Sequence, residues 1–233
     1  MHDKPQFKRP PKKYAPKGLT ILFEDRDIIA VDKINGLLTI SSASEKENTA
    51  HFILNDYVQK GNPKSRNRVY IVHRLDQDTS GVLVFAKSES AKRYLQDAWQ
   101  SFTKKYVAVV HGILEPKEDV LTSYLTESDA YKVYSVRDES QGKLAETGYQ
   151  VMKDSKNFSL LEVKLFTGRK HQIRVHFSEI GHPVAGDKVY GKKDGIKRLA
   201  LHAASLTIRH PYSKEEITFD APIPNYFKTI LKT

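Results

Sequence analysis

HRLD, His73 to Asp76, places a cation, Arg74, two residues before a carboxylate, Asp76. The flanking runs, Val69 to Val72 and Val82 to Ala86, are apolar and β-branched enough to be buried strands, and Ser80 with Gly81 is turn chemistry. A carboxylate at the point where a chain leaves a buried strand can project over a cleft and act as a nucleophile or a general base. Taken alone, such an Asp is more often part of a solvated turn. Its meaning therefore depends on what else the chain offers.

Other chemistries fare poorly. Among nine histidines, His171 and His176 form the most tempting metal pair, but a spacing of five rotates them well over a right angle apart on a helix. No metal site is expected. Ser80 in DTSG lacks the strained elbow and His partner of a serine nucleophile. DTSG also has its Gly displaced from the aspartic peptidase turn, and no second copy of that turn exists to share a proton. No GxxxxGK[ST] or GxGxxG loop is present to cradle a nucleotide, so no cofactor is implied.

The balance of charge names a partner. The 233 residues carry a net charge of +10, with a pI near 9.5, and a basic surface attracts phosphate backbones. Nucleic acid is the favoured ligand. The absence of cysteine excludes disulfides, thiolate metal sites and a Cys nucleophile, and fits a reducing compartment. No apolar run approaches the length of a membrane span, and the first residues lack a signal peptide's apolar centre. A cytoplasmic protein with no membrane partner is expected.

The elements that must position these residues can be read along the chain. Residues 1–18 hold six Lys and Arg and four of the ten prolines, the composition of a mobile basic arm; residues 19–233 form the folded body. Strands are expected over Ile21 to Glu24 and Ile28 to Lys33, with turns at Asp25 to Asp27 and at Asn35 and Gly36. Phe52, Ile53, Tyr57 and Val58 recur at helical spacing between Asn48 and Lys60, a run that Gly61, Asn62 and Pro63 end. Ser88 can cap a helix whose apolar face is Ala91, Leu95, Ala98 and Phe102. KKYVAVVHG follows as a strand buried on both faces. Glu115 to Gly148 reads as surface loops and short strands. FSLLEVKLF begins a strand that turns at Thr167 and Gly168 into a helix with Ile173, Phe177 and Ile180 on one face, stopped by Gly181 and Pro183. The last segments, LALHAASLTIRHP and KEEITFDAP, supply final strands.

Four of these segments carry a resemblance. HRLDQDTSGVLVFAKS is similar to the signature of the RluA-type RNA pseudouridine synthases, KKYVAVVHG to their Tyr-bearing strand, and TGRKHQIRVHFSEIGHPVAGDKVYG to their third motif. RLALHAASLTIRHP through the late Asp-Ala-Pro resembles the family's closing segment, so the likeness runs from about Leu19 to Phe227. It implies an α+β fold, with a mixed, largely antiparallel sheet in two halves flanking a central basic cleft. It also implies cofactor-free isomerisation of uridine to pseudouridine in structured RNA, ribosomal or transfer. Oligomeric state is open from the sequence, with a monomer as the default expectation. The alternative is a catalytically idle RNA-binding or assembly factor on the same scaffold, which the presence of Asp76, Tyr106 and Arg174 together argues against.

The resemblance also assigns roles. Asp76 acts at the ribose, either by forming a covalent adduct at C1′ or by taking the C2′ proton to give a glycal. Arg174 pairs with Asp76 and holds it charged and aimed. Tyr106 stacks on the uracil and takes the C5 proton. Ile173 packs on the target base, Arg74 contacts RNA or fills the space left by a flipped base, and Arg169 and His171 of the third motif bind substrate. The chain departs from the family in two places. DKINGLL stands where many members read NKPxGLL, so Ile34 replaces a rigid proline, and the residues before Leu19 are too few for the S4-type RNA-binding module that many relatives carry.

Overall fold

The computed structural model describes residues 15–43, 45–60, 62, 64–128 and 132–232. Most of the expected basic arm, and Gly61 and Pro63 of the expected helix stop, lie outside the described residues. The chain forms two compact units, one built from residues up to Phe102 together with Thr207–Ala221, the other from Thr103–Leu206 together with Pro222 onward.

The first unit opens with an antiparallel hairpin of β1 (Leu19–Glu24) and β2 (Ile28–Lys33). Its turn is closed by Asp25, whose Oδ1 accepts from the backbone N–H groups of Asp27 and Ile28, both at 2.8 Å. Next comes α1 (Ala50–Gln59), capped by Thr49, whose side chain accepts from the Phe52 N–H. Its buried face is Ala50, Leu54 and Val58, whereas Phe52 is exposed. The stripe expected from Phe52, Ile53 and Tyr57 was set around the helix from the true one, and Tyr57 uses its hydroxyl to reach Glu24 at 2.8 Å.

Of the strand expected over Val69 to Val72, only Tyr70–Ile71 forms a ladder, as β3, although Val69 and Val72 are buried. β4 (Ser80–Ala86) is buried throughout and lies between β2 and β3, pairing antiparallel with each. Ser88 caps α2 (Glu89–Asp97) through the Ala91 N–H at 3.1 Å, and Ala91 and Leu95 face inward. The helix stops before Phe102, which is buried after a short 3-10 turn.

In the second unit β5 (Thr103–His111), β6 (Glu118–Glu127), β7 (Val133–Val136), β8 (Lys143–Asp154) and β9 (Phe158–Leu165) lie in the order β5-β9-β8-β6-β7, every pairing antiparallel. This corrects the reading of Glu115 to Gly148 as loops and short strands. β6 pairs with β8 from Glu118↔Gln150 to Leu125↔Lys143, yet most of its side chains are solvated, so its ladder is set by backbone hydrogen bonds rather than by an apolar rhythm.

One face of this sheet holds α3 (Gln172–Glu179), whose residues from Gln172 to Phe177 are all buried. Ile173 and Phe177 join a core with Val107, Val109, Leu161, Val163 and Phe227. Ile180 instead ends the helix, exposed, and Gly181 follows at φ +83°.

β10 (Leu201–Arg209) passes from the second unit into the first, where β11 (Glu216–Asp220) pairs with it. A helix absent from the sequence reading, α4 (Asn225–Ile230), follows and buries Phe227 and Ile230. The class is mixed α+β, with mostly antiparallel strands and few helices. No helix among the described residues is long and apolar enough to cross a membrane.

Candidate active site

The candidate residues divide between the two units: Arg74 and Asp76 belong to the first, and Tyr106, Arg169, His171, Ile173 and Arg174 to the second.

Asp76 lies on the extended segment joining β3 to β4, half-buried, with Arg74 exposed two residues earlier. The segment has no ladder of its own at this point, so side chains supply the missing bonds. Thr39 Oγ1 donates to the Leu75 carbonyl at 2.8 Å and accepts from the Leu75 N–H at 3.2 Å. On the other side of Asp76, the Gln77 carbonyl accepts from the Gly36 N–H at 2.9 Å, and Gln77 Nε2 donates to the Gly36 carbonyl at 3.2 Å. Gly36 makes both bonds from a left-handed backbone, φ +86°, a conformation glycine adopts without strain. Asn35 Nδ2 donates to the Asp78 carbonyl.

Under this loop sits Lys33, the last residue of β2 and wholly buried. Its ammonium has three donors and directs them to three carbonyls, Leu37 at 2.8 Å and Ile34 and Gln77 at 3.1 Å. Burial pushes its pKa down to about 8, against the nearby charges of Asp76, Asp78 and Asp32, which favour the protonated form. Lys33 was missed in the sequence because a lysine ending an apolar strand reads as a solvated cation; the signals were its position directly ahead of the Asn35 and Gly36 turn and its coincidence with the Lys of NKPxGLL. Ahead of Asp76, His73 is fixed by the Val84 N–H, which donates to its Nε2 at 3.0 Å, and by stacking on Trp99 with ring centroids 4.3 Å apart. Asp76 is thus a partly solvated carboxylate on a loop that five side chains immobilise.

In the second unit Tyr106 stands on β5 opposite Val163 and packs, half-buried, against the core cluster that contains Ile173. Ile173 is itself a core side chain. Arg174, next to it on α3, is buried and makes a bidentate pair with Asp187, Nε to Oδ2 at 2.7 Å and Nη2 to Oδ1 at 2.9 Å. Burial opposes ionisation of Asp187, but Arg174 and the N–H groups of Tyr190 and Val189 hold its carboxyl below the usual range.

His171 adopts a left-handed backbone, φ 55°, at the start of α3, and its Nδ1 lies 2.9 Å from the Tyr190 hydroxyl. Arg169 donates from Nε to the Leu144 carbonyl at 2.8 Å, and its backbone N–H reaches Gln172 Oε1 at 2.9 Å. His176 is bound by Thr147 Oγ1 and Ser123 Oγ, each at 2.9 Å, and burial holds its pKa below the usual range, which favours the neutral ring. Asp187 and Tyr190 went unassigned in the sequence, although both stand in the GDKVYG end of the third motif.

Among the described residues one cluster has the composition of a metal site, Asp25, Asp27 and His210. His210 Nδ1 accepts from the Ser213 and Tyr212 N–H groups at 3.1 and 3.3 Å, which puts the ring proton of the neutral form on Nε2. That nitrogen lies 2.8 Å from Asp25 Oδ2, an ion-pair distance, though too poorly aligned for a good hydrogen bond. A protonated Nε2 has no lone pair for a metal, so the cluster reads as a His–Asp contact holding the β1–β2 turn.

The sequence profile described as RNA pseudouridylate synthase matches residues 27–179, which include Lys33, Asp76, Tyr106 and Arg174. The chain belongs to the RNA pseudouridylate synthase family. It is 35% identical over 231 residues to the ribosomal large subunit pseudouridine synthase D of Zymomonas mobilis subsp. mobilis, covering 92% of this chain and 72% of that protein. It is 34% identical to the Haemophilus influenzae protein of the same name, covering 91% of this chain and 70% of the relative. The fold matches the human RNA pseudouridylate synthase domain containing 4 with a TM-score of 0.77 at 24% identity, over 94% of each chain. As a pseudouridine synthase the protein is an isomerase that converts uridine to pseudouridine in RNA.

Proposed function

We propose that this pseudouridine synthase modifies ribosomal RNA of the large subunit, with Asp76 as the reacting carboxylate, Tyr106 against the uracil and Arg174 as the counter-charge. The observation that carries the reading is the loop of Asp76: a half-exposed carboxylate with its neighbours Leu75, Gln77 and Asp78 each bonded to a fixed side chain or turn. Such pre-organisation suits a group that must meet one atom of a ribose. The names of the relatives support ribosomal rather than transfer RNA as substrate.

The reaction breaks the N1 to C1′ bond, turns the uracil, joins C5 to C1′ and releases the C5 proton. It is redox-neutral and consumes nothing, so no cofactor is required. A paired uridine must first be extruded, at a cost of a few kcal/mol. Arg74 is exposed and suited to the RNA backbone or to the vacated position in the stack. Arg169 and His171 bind near the substrate, and Ile173 supports the base from the core. The enzyme works as a monomer in the cytoplasm, where ribosomal RNA is processed.

The test is a map of pseudouridines in total RNA from cells with and without the protein. Loss of one or a few sites in large-subunit ribosomal RNA, restored by the purified enzyme on the unmodified transcript, is the expected result. Loss confined to transfer RNA would overturn the choice of substrate.

A further inference from the structure

The charge excess of the chain is not spread evenly. In the loop that runs from α3 to β10, five cations, Lys188, Lys192, Lys193, Lys197 and Arg198, stand against one carboxylate, Asp194. Residues 1–18 hold six cations and one carboxylate, Asp3. Those first residues therefore carry +5 and this short loop +4 of the total of +10, which leaves the rest of the chain close to neutral. All five loop cations are exposed, and among the described residues none lies at ion-pair distance from a carboxylate. A run of charge is ordinarily a solvated face, but one this concentrated raises a local potential that attracts phosphate.

The loop is also built rather than slack. Its one carboxylate is turned inward: the Asp194 side chain is 10% exposed, and its Oδ2 meets His111 Nε2 on β5 at 2.9 Å and accepts from the Gly186 N–H at 2.8 Å, while Oδ1 accepts from the Ile196 N–H at 2.8 Å. The anion thus holds the loop and does not face the cations outside. Ile196 packs on the core of the second unit, and the Leu199 carbonyl accepts from the Tyr226 hydroxyl at 2.7 Å. The two ends meet closely, since a Cβ on Gly186 would lie 2.2 Å from the Arg198 carbonyl oxygen. A second tight approach, 2.4 Å from a Cβ on Gly191 to the Asp187 carbonyl oxygen, fixes the middle.

The side chains say which form of RNA fits. Unpaired bases are held by stacking on free aromatic rings, and the one ring in the loop, Tyr190, is engaged: it lies 5.1 Å from Arg174 Cζ, and its hydroxyl accepts from the Val133 N–H at 3.0 Å and meets His171 Nδ1 at 2.9 Å. Four of the five cations are lysines, point charges that suit phosphate without reading base edges. We infer that the loop of residues 188–198 is a docking site for the sugar-phosphate backbone of paired RNA, set in shape before the RNA arrives. None of its five cations is among the residues proposed to react. The inference rests on the reading that the substrate is structured RNA, and adds a surface that holds the helical part of it.

The experiment measures affinity of the intact enzyme for the large-subunit ribosomal RNA transcript and for an RNA duplex of ~20 base pairs, each across a salt series. Lys192→Gln, Lys193→Gln and Lys197→Gln combined should weaken binding of both RNAs by at least ~10-fold at low salt. Each lost phosphate contact removes roughly 0.7 to 0.9 from the slope of log affinity against log salt, so the slope should fall by about 2 to 3. On the transcript KM should rise, while kcat at saturating RNA stays within ~2-fold. The control, Lys46→Gln, Lys153→Gln and Lys156→Gln combined, removes the same charge from exposed positions elsewhere and should change affinity by less than ~3-fold. Asp194→Asn makes the loop more positive yet loosens it. Weaker binding by that variant is expected of a site set in shape, and tighter binding would show that charge alone acts and overturn the inference. Duplex affinity unchanged in the loop variant, or lowered equally in the control, would overturn it as well. If the wild-type enzyme shows the loop-dependent binding but forms no pseudouridine in ribosomal RNA, the proposed substrate falls and the docking site stands.

Discussion

Lys33 Nζ donates to the carbonyl of Gln77, the residue beside Asp76, at 3.1 Å. The bond ties the end of a core strand to the loop that carries Asp76, the proposed reacting carboxylate, and it is made by an ammonium whose burial lowers its pKa to about 8. Between about pH 8 and the ordinary value of 10.5 the unfolded chain keeps this proton and the folded chain has shed it. The unfolded state then binds more protons, so stability rises with pH across that window, by on the order of 3 kcal/mol if it were completed. Urea denaturation at pH 8 and 9.5 should show this gain in the wild type and its loss in Lys33→Met. The same variant should turn over more slowly at pH 7.5, since Gln77 and Leu37 lose a donor and the loop its support.

Asp76→Asn keeps the shape of the side chain and removes the charge. It should fold with a melting temperature within a few degrees of wild type and bind the RNA transcript normally, yet form no pseudouridine above background by primer extension. Measurable turnover would remove Asp76 from the reaction.

Tyr106→Phe separates ring from hydroxyl. On the role proposed for Tyr106, the variant keeps the stacking ring and deletes the acceptor of the C5 proton, so tritium release from C5-labelled RNA should slow by at least ~10-fold with affinity unchanged. A wild-type rate would leave Tyr106 as a packing surface for the base.

His176 offers a test of the second unit alone. Burial lowers its pKa, so on acidification the unfolded chain takes up a proton at the ordinary value near 6.5 before the folded chain does. Stability should therefore fall as the pH drops below 6.5. His176→Gln should weaken that dependence between pH 7.5 and 5, measured by urea midpoints, whatever its effect at pH 7.5.

The sequence was most informative where side-chain type and chain direction carry the meaning together. HRLD after an apolar run places Asp76 on a strand exit, and KKYVAVVHG gives β5 with Tyr106 on it. β6 was lost because its side chains are mostly solvated and its pairing to β8 leaves no apolar alternation to read. α4 is only six residues long, and its two buried side chains, Phe227 and Ile230, do not make a period. The partner of a buried charge is harder still: Asp187 lies thirteen positions after Arg174, in a turn whose role depends on the fold rather than on spacing. Lys33 illustrates the same limit, since nothing in IIAVDK distinguishes a caged ammonium from a solvated one.

The two bonds between Thr39 Oγ1 and Leu75 let one hydroxyl replace a neighbouring strand. This has a consequence for how the loop can drift over generations. Valine matches threonine in volume and strand preference, so a Thr39→Val change would pass as conservative by size and hydropathy, yet it leaves a buried N–H and a buried carbonyl facing a methyl group. Serine would keep both bonds. The permitted alphabet at position 39 is therefore set by hydrogen-bond capacity and not by bulk, the reverse of the rule for the apolar residues around it.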